Sequence, residues 1–211
     1  MKLLPVALNV EGASILIVGG GKVATRKAAT LRECGARITI ISPTLCDELQ
    51  AMQEELEYSA RCFQADDCDS YNLVFACTND RHVNAQIAAE AKVKNIWAQV
   101  ADDAGGSTLH SAATIRRDEI CIGISSGGGS PALAKHLKSE IEKCIGEEYA
   151  LLLKLMSSRR KKMKAQIASQ NDRAELWREV LAKGVLPLLR EGRQNEAENL
   201  IDNLLQSNTE H

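Results

Sequence analysis

Through the first half of the chain, apolar residues follow two alternating spacings. Short blocks of aliphatic and β-branched residues give way to stretches where apolar positions recur every three or four residues. This is the alternation that builds a parallel sheet from βαβ units. The block 14–18 is closed by Gly19-Gly20-Gly21. The spacing then predicts a helix over 22–34, with Val23, Ala24, Ala28 and Leu31 on one face and Gly35 where a helix ends. Residues 37–41 form a second predicted strand, and 72–77 and 95–100 are later buried strands separated by a helix over about 83–91. A further strand over 119–124 runs into Ser125-Ser126-Gly127-Gly128-Gly129-Ser130-Pro131, with a helix over 132–145 after it. From Glu147 onward only helical periodicity is present, its apolar stripes marked by Leu151, Leu155, Ile167, Leu176, Val180, Leu188, Leu200 and Leu204. The pattern changes near residues 112 and 146, which divides the chain into 1–112, 113–145 and 146–211.

Composition narrows the class. A length of 211 residues with 45% hydrophobic and 26% charged residues suits a soluble globular chain able to bury a core without staples. Aromatic residues at 3% argue against a stacking platform for single-stranded nucleic acid, and a net charge of -2 gives no overall drive toward nucleic acid or an anionic membrane. No apolar run reaches the roughly 18 residues that span a bilayer, and Met1-Lys2-Leu3-Leu4-Pro5 lacks the layout of a secretory signal. The seven cysteines are an odd number without any C-x-x-C pair, which fits free thiols in a reducing cytoplasm. Cys62 and Cys68 have no second pair to complete a metal site, and no H-x-x-x-H or H-x-H arrangement occurs, so no resident metal is expected.

The first candidate chemistry is the glycine turn. Gly19, Gly21 and Ala24 satisfy G-x-G-x-x-A between a strand and a helix. The first glycine permits a tight turn, the second lets backbone approach a pyrophosphate, and the small third residue lets helix and strand pack closely. Free N–H groups at the helix start, around Lys22 and Val23, then face the phosphates. The second strand of such a unit usually ends in an acidic residue that bonds the adenosine ribose. Here Ser42-Pro43-Thr44 stands there, and Arg37 lies too early on the strand to meet a 2′-phosphate, so NAD and NADP are not separated by this marker.

Four stretches together resemble the siroheme synthase N-terminal domain, the precorrin-2 dehydrogenase/sirohydrochlorin ferrochelatase family. They are Val18-Gly19-Gly20-Gly21-Lys22-Val23-Ala24-Thr25-Arg26-Lys27, Ala76-Cys77-Thr78-Asn79-Asp80 with Asn84, Gln99-Val100-Ala101-Asp102, and Ile124 through Pro131. The likeness covers residues 1 to about 145, and Trp177-Arg178-Glu179 extends it into the tail. The resemblance implies an α/β fold: a Rossmann-type parallel-sheet domain, a small α+β dimerisation segment and an all-helical C-terminal domain, in a homodimer. It also implies NAD-dependent oxidation of precorrin-2 to sirohydrochlorin, with transient Fe2+ or Co2+ as a second substrate in members that also insert metal. The methyltransferase domain fused in some relatives is absent from this sequence, so synthesis of precorrin-2 itself is not expected.

By the same resemblance, Asp102 matches the family's functional aspartate, at the sheet edge where open α/β folds bind ligands. A carboxylate there could take up the proton lost with a hydride. Asp103 beside it is a second candidate, and His110 is either a proton carrier or metal ligand or a plain polar loop residue. Gly19, Gly21, Lys22, Val23, Ser42, Pro43, Thr78 and Asn79 are the expected cofactor contacts. Ser125, Ser126, Gly127, Gly128 and Ser130 form a candidate anion cradle for the substrate's eight carboxylates, with Lys135 the cation assigned to it and Arg116, Arg117 and Lys138 nearby. The basic run Arg159-Arg160-Lys161-Lys162 with Lys164 reads as a solvated helix face, a nucleic-acid patch or the mouth of a polyanion pocket. A non-enzymatic NAD-sensing module is the competing function. It needs the first glycine turn but neither Asp102 nor the second glycine turn.

Overall fold

Runs of largely apolar residues at 15–18, 38–41 and 73–76 can be accommodated only where both faces of a strand are covered, and the fold covers both. The structure is a computed structural model that describes residues 2–207. Its elements begin with β1 (Ser14–Val18), α1 (Lys22–Glu33), β2 (Arg37–Ile41), the short helix α2 (Asp47–Gln50), β3 (Glu57–Ser59), β4 (Leu73–Ala76), α3 (Arg81–Val93) and β5 (Trp97–Val100). The five strands are parallel in the order β3-β2-β1-β4-β5, the doubly wound arrangement with its switch point between β1 and β4.

Strand alternation sorts the core into two layers. Ile15, Ile17, Ile38, Ile40, Leu73 and Phe75 pack with Ala24, Ala28 and Leu31 of α1. Leu16, Val18, Ile41, Val74 and Ala76 face the other way and pack with Ile87 of α3. Val23, expected on the core face of α1, is half-buried. Ala24 and Ala28 are fully buried because only small side chains let the helix lie close to the strands.

The outer edge of β5 is closed by the segment that follows it. The backbone N–H groups of Ala98 and Val100 donate to the hydroxyls of Thr108 (2.8 Å) and Ser107 (2.9 Å). The N–H groups of Thr108 and Leu109 donate back to the Ala98 carbonyl. Residues 107–109 thus blunt an edge that would otherwise invite pairing with another chain.

The chain divides into two compact units, Met1–Ala112 with Ser125–Ser130, and Ala113–Ile124 with Pro131–His211. The second glycine turn therefore belongs with the parallel sheet. The second unit begins with an antiparallel hairpin, β6 (Ala113–Arg117) and β7 (Ile120–Ile124), with Asp118 in the left-handed conformation (φ 53°) at the turn. Helix α4 (Pro131–Glu142) packs on it through Ala134 against Ile115 and Ile124. Strand β6, like β3, lies where the sequence pattern predicted no strand; β3 has no fully buried residue and β6 only Ile115, among mixed-polarity neighbours.

Helices α5 (Glu148–Gln166), α6 (Gln170–Ala182), α7 (Val185–Arg190) and α8 (Gln194–Ser207) complete this unit around Leu152, Leu155, Met163, Leu176, Val180, Val185, Leu189, Ile201 and Leu205. The expected stripe is found at Leu155, Ile167, Leu176 and Val180 but displaced by one residue elsewhere. Leu152, Leu189, Ile201 and Leu205 are buried, whereas Leu151 is exposed and Leu188, Leu200 and Leu204 are only half-buried. Each displaced position sits in a run of adjacent aliphatic residues, where spacing alone cannot choose the register.

Candidate functional site

The glycine turn lies at the carboxyl end of β1. Gly19 has φ 121°, and a Cβ there would sit 2.4 Å from the Cys77 carbonyl oxygen, so only glycine lets β1 turn away beside β4. Gly20 is equally constrained: a Cβ would lie 1.9 Å from the Thr44 carbonyl oxygen. The Ser42–Cys46 loop is folded directly onto it, with the Cys46 N–H donating to the Gly20 carbonyl at 2.7 Å. Gly21 is exposed, a Cβ there would meet nothing within 4 Å, and no side chain caps the start of α1. The free N–H groups of the first helical turn, at Lys22 and Val23, are therefore open to an anionic ligand. These features fit a bound dinucleotide: a tight turn, an open backbone and an uncapped helix start.

The loop after β2 is more occupied than its sequence suggests. The Ser42 hydroxyl is buried and donates to the Thr44 carbonyl (2.7 Å), and Tyr58 donates to the Ser42 carbonyl. Pro43 and Thr44 are exposed beside it. Arg37 donates to the Ser14 hydroxyl at the opposite end of the strands.

Between β4 and β5 a buried asparagine organises the site. Asn84, only 1% exposed, lies in the first turn of α3. Its side-chain oxygen accepts from the Thr78 hydroxyl (2.7 Å) and the Thr78 N–H (3.2 Å). Its amide nitrogen donates to the Thr78 carbonyl (3.1 Å) and to Asp102 Oδ1 (2.9 Å). Asp80 caps α3 through the N–H of His82, which fixes the turn that carries Asn84. The second oxygen of Asp102 faces the exposed Arg81 guanidinium at 3.4 Å. Asn79 is exposed at the same strand end.

Asp102 and Asp103 differ in what they can do. The Asp103 carboxylate turns back on its own loop, accepting from the Gly105 N–H (2.8 Å). The buried Ser107 hydroxyl secures the Asp103 carbonyl (2.7 Å) and the Val100 N–H. This leaves Asp102 as the carboxylate presented at the sheet edge. Gln99, at the start of the same motif, is held by the Lys27 ammonium (2.9 Å) and the Ser111 hydroxyl (2.6 Å), and Lys27 also reaches Ser111 at 2.7 Å. Burial of Lys27 lowers its pKa, and its ammonium also lies 5.1 Å from the Phe75 ring centre. His110, just before Ser111 in the chain, is half-buried, and its Nε2 has no hydrogen-bond partner among the described residues.

The second glycine turn meets this region from Gly128, where a Cβ would lie 3.3 Å from that of Ala104. Gly127 and Gly128 have φ of 62° and 83°, conformations natural to glycine. Serine hydroxyls hold the turn: Ser126 accepts from the Ser130 N–H and donates to the Ser130 carbonyl (both 3.0 Å), and Ser125 accepts from the Gly127 N–H. Lys135 is exposed on α4 in the second unit, and Arg117 is committed to Glu142 and Glu147. In the sequence Asn84 is only one member of a motif, and Ser107 carries no signal of its own. Nothing but burial in the fold marks them as the residues that hold Asp102 in place.

Comparison with known proteins agrees with this geometry. Residues 6–113 match the family described as putative NAD(P)-binding. The chain belongs to that family. Residues 148–205 match the sirohaem synthase dimerisation region. The chain is 34% identical over 209 residues to a siroheme synthase of Thioalkalivibrio sulfidiphilus, covering 98% of this chain and 43% of the relative. It is 31% identical over 208 residues to that of Photorhabdus laumondii, covering 98% and 44%. The chain thus spans less than half the length of these curated relatives. The solved structure of SirC, a precorrin-2 dehydrogenase, superposes with a TM-score of 0.75 at 24% identity, over 95% of this chain and all of that one. The expected Rossmann-type sheet and helical C-terminal part are shared with it.

Proposed function

We propose that this chain oxidises precorrin-2 to sirohydrochlorin with NAD+ as the hydride acceptor. The observation that carries the proposal is Asn84, which holds the Asp102 carboxylate at the sheet edge between the dinucleotide turn and the second glycine turn. An NAD-sensing module needs no such arrangement.

Gly19, Gly21, Lys22 and Val23 would hold the pyrophosphate, the Ser42-Pro43 backbone the adenosine side, and Thr78 and Asn79 the nicotinamide side. The bound nicotinamide supplies hydride acceptance. Asp102 takes up the proton that the macrocycle loses with the hydride, through the oxygen not bonded to Asn84, so the substrate loses one hydride and one proton in all. His110, whose Nε2 has no hydrogen-bond partner among the described residues, is the second candidate proton carrier. Ser125, Ser126, Gly127, Gly128 and Ser130, with Lys135, are assigned to the substrate carboxylates.

We assign residues 1–112 to cofactor binding, 113–145 to dimerisation and the substrate pocket, and 146–211 to the helical domain of a homodimer. The match of 148–205 to a dimerisation region supports the homodimer and draws the helical domain, beyond 113–145, into dimerisation. The described cysteines form no disulfide and no described helix is long and apolar enough to cross a membrane, which supports a cytoplasmic location. Insertion of Fe2+ or Co2+ into the product at the same carboxylate is the further activity assigned to the site.

Mixing purified protein with precorrin-2 and NAD+ should yield sirohydrochlorin and NADH, both followed by absorbance. NAD+ binding without either product would sink the dehydrogenase reading in favour of the sensor. Sirohydrochlorin with Fe2+ or Co2+ tests chelation separately, and sedimentation tests the dimer.

A further inference from the structure

The basic run in α5 has a specific arrangement in the fold. Arg159, its first member, is not part of any open surface: its guanidinium bonds Asp202 through two nitrogens (2.7 and 2.8 Å) and reaches Glu198. Lys162 lies close enough to Asp202 to lower that carboxyl's pKa. Arg160, Lys161 and Lys164 are exposed and form no ion pair among the described residues. Arg117, Lys143, Lys154, Lys183, Arg190 and Arg193 of this unit are ion-paired, whereas Lys135, Lys138, Arg173 and Arg178 form no ion pair among the described residues but are split between α4 and α6. Arg160, Lys161 and Lys164 thus bring three cations without an ion pair among the described residues together within one stretch of α5. The flanking stretch Ser157-Ser158 to Ala165 contains no acidic residue.

We infer that this stretch of α5 is a docking surface for a polycarboxylate, on which the proposed macrocyclic substrate is first captured. The inference rests on the dehydrogenase reading for the identity of that ligand. A substrate with eight carboxylates is repelled by a chain of net charge -2, so capture requires a local field of opposite sign. Unpaired ammonium and guanidinium groups on a rigid helix supply one, and such fields raise association rates by about 10 to 10³-fold at low salt. A duplex nucleic acid is less well matched, because three charges on two turns neutralise few phosphates. An interface core between two copies would be poor in lysine.

The test uses the full-length protein and the variant Arg160→Glu/Lys161→Glu/Lys164→Glu. All three positions are exposed, so folding should be unchanged by circular dichroism. The neutral set Arg160→Gln/Lys161→Gln/Lys164→Gln provides a second, milder variant. At about 20 mM salt the reversal should lower kcat/KM for precorrin-2 about tenfold, leaving kcat and the KM for NAD+ unchanged. The gap should close near about 0.5 M salt, where screening reaches within a few ångström, about 4 Å. A fluorescent octacarboxylic porphyrin, titrated without NAD+, should lose affinity in the same order. Unchanged kcat/KM, salt slope and porphyrin affinity in both variants would overturn the docking surface and leave the dehydrogenase intact. Patch-dependent porphyrin binding without turnover would keep the surface and remove the dehydrogenase. Displacement of the porphyrin by a short DNA duplex at lower concentration would assign the face to nucleic acid instead.

Discussion

Asp102 is visible in the sequence as a motif residue, but its usefulness depends on two residues with no charge. Asn84 bridges it to Thr78, and Ser107 holds the loop that carries it. Replacing Asp102 with Asn retains an oxygen that can accept from Asn84 and removes the proposed proton acceptor. We expect kcat to fall by about 10²-fold or more with NAD+ affinity nearly unchanged, measured by steady-state kinetics and calorimetry. Asn84→Ala strands the Thr78 N–H and should cost about 1–3 kcal/mol in urea unfolding, with a drop in kcat as Asp102 loosens. Neutral, buried, hydrogen-bonded residues of this kind are hard to read in advance, because any loop or helix start can contain an Asn or a Ser.

Among the elements, the first glycine turn and α8 show most directly how neighbouring positions acquire different roles. In the sequence the middle glycine of the turn is only a spacer. In the fold it is where the Ser42–Cys46 loop lies on the cofactor turn, and Gly20→Ala would drive a methyl group into the Thr44 carbonyl. That variant should fold, yet bind NAD+ at least about tenfold more weakly, about 1.4 kcal/mol, because the loop must move. In α8 the buried residues are Ala197, Ile201 and Leu205. Ile201→Ala should destabilise by about 3 kcal/mol, whereas Leu200→Ala should cost about half as much, as measured by thermal or urea unfolding. Equal effects would mean that α8 does not turn Ile201, rather than Leu200, into the core.

Stability of the whole molecule should depend on pH at both extremes. Arg61 holds the Asp67 carboxyl, and Arg159 the Asp202 carboxyl, below the ordinary range. Their stabilisation is present above the unfolded value of about 3.9 and is lost as pH falls through the lower folded values. On the alkaline side, burial pushes the thiols of Cys68 and Cys77 up to about 11. They stay protonated in the fold while the unfolded chain ionises near about 8.5, so stability falls from there toward the folded values. Unfolding midpoints should thus be flat between about pH 5 and 8 and decline on both sides. In the native protein at pH near about 8, thiol reagents should label the exposed Cys62 and spare Cys68 and Cys77.

Local signals in the amino-acid chain were enough to specify four strands of the parallel sheet and the cofactor turn, whereas Asp102 was marked by the family resemblance. The local signals are blocks of β-branched residues and glycines with required backbone freedom. Four matters were settled only by the folded arrangement. They are which of two adjacent aspartates is presented, which of two adjacent aliphatic residues is buried, the grouping of the second glycine turn with the sheet, and the separation of the paired Arg159 from its unpaired neighbours. One cause underlies all four. Hydrophobic patterning sets faces and lengths, but choosing between neighbouring residues requires a partner distant in sequence, such as Asn84 for Asp102 or Asp202 for Arg159.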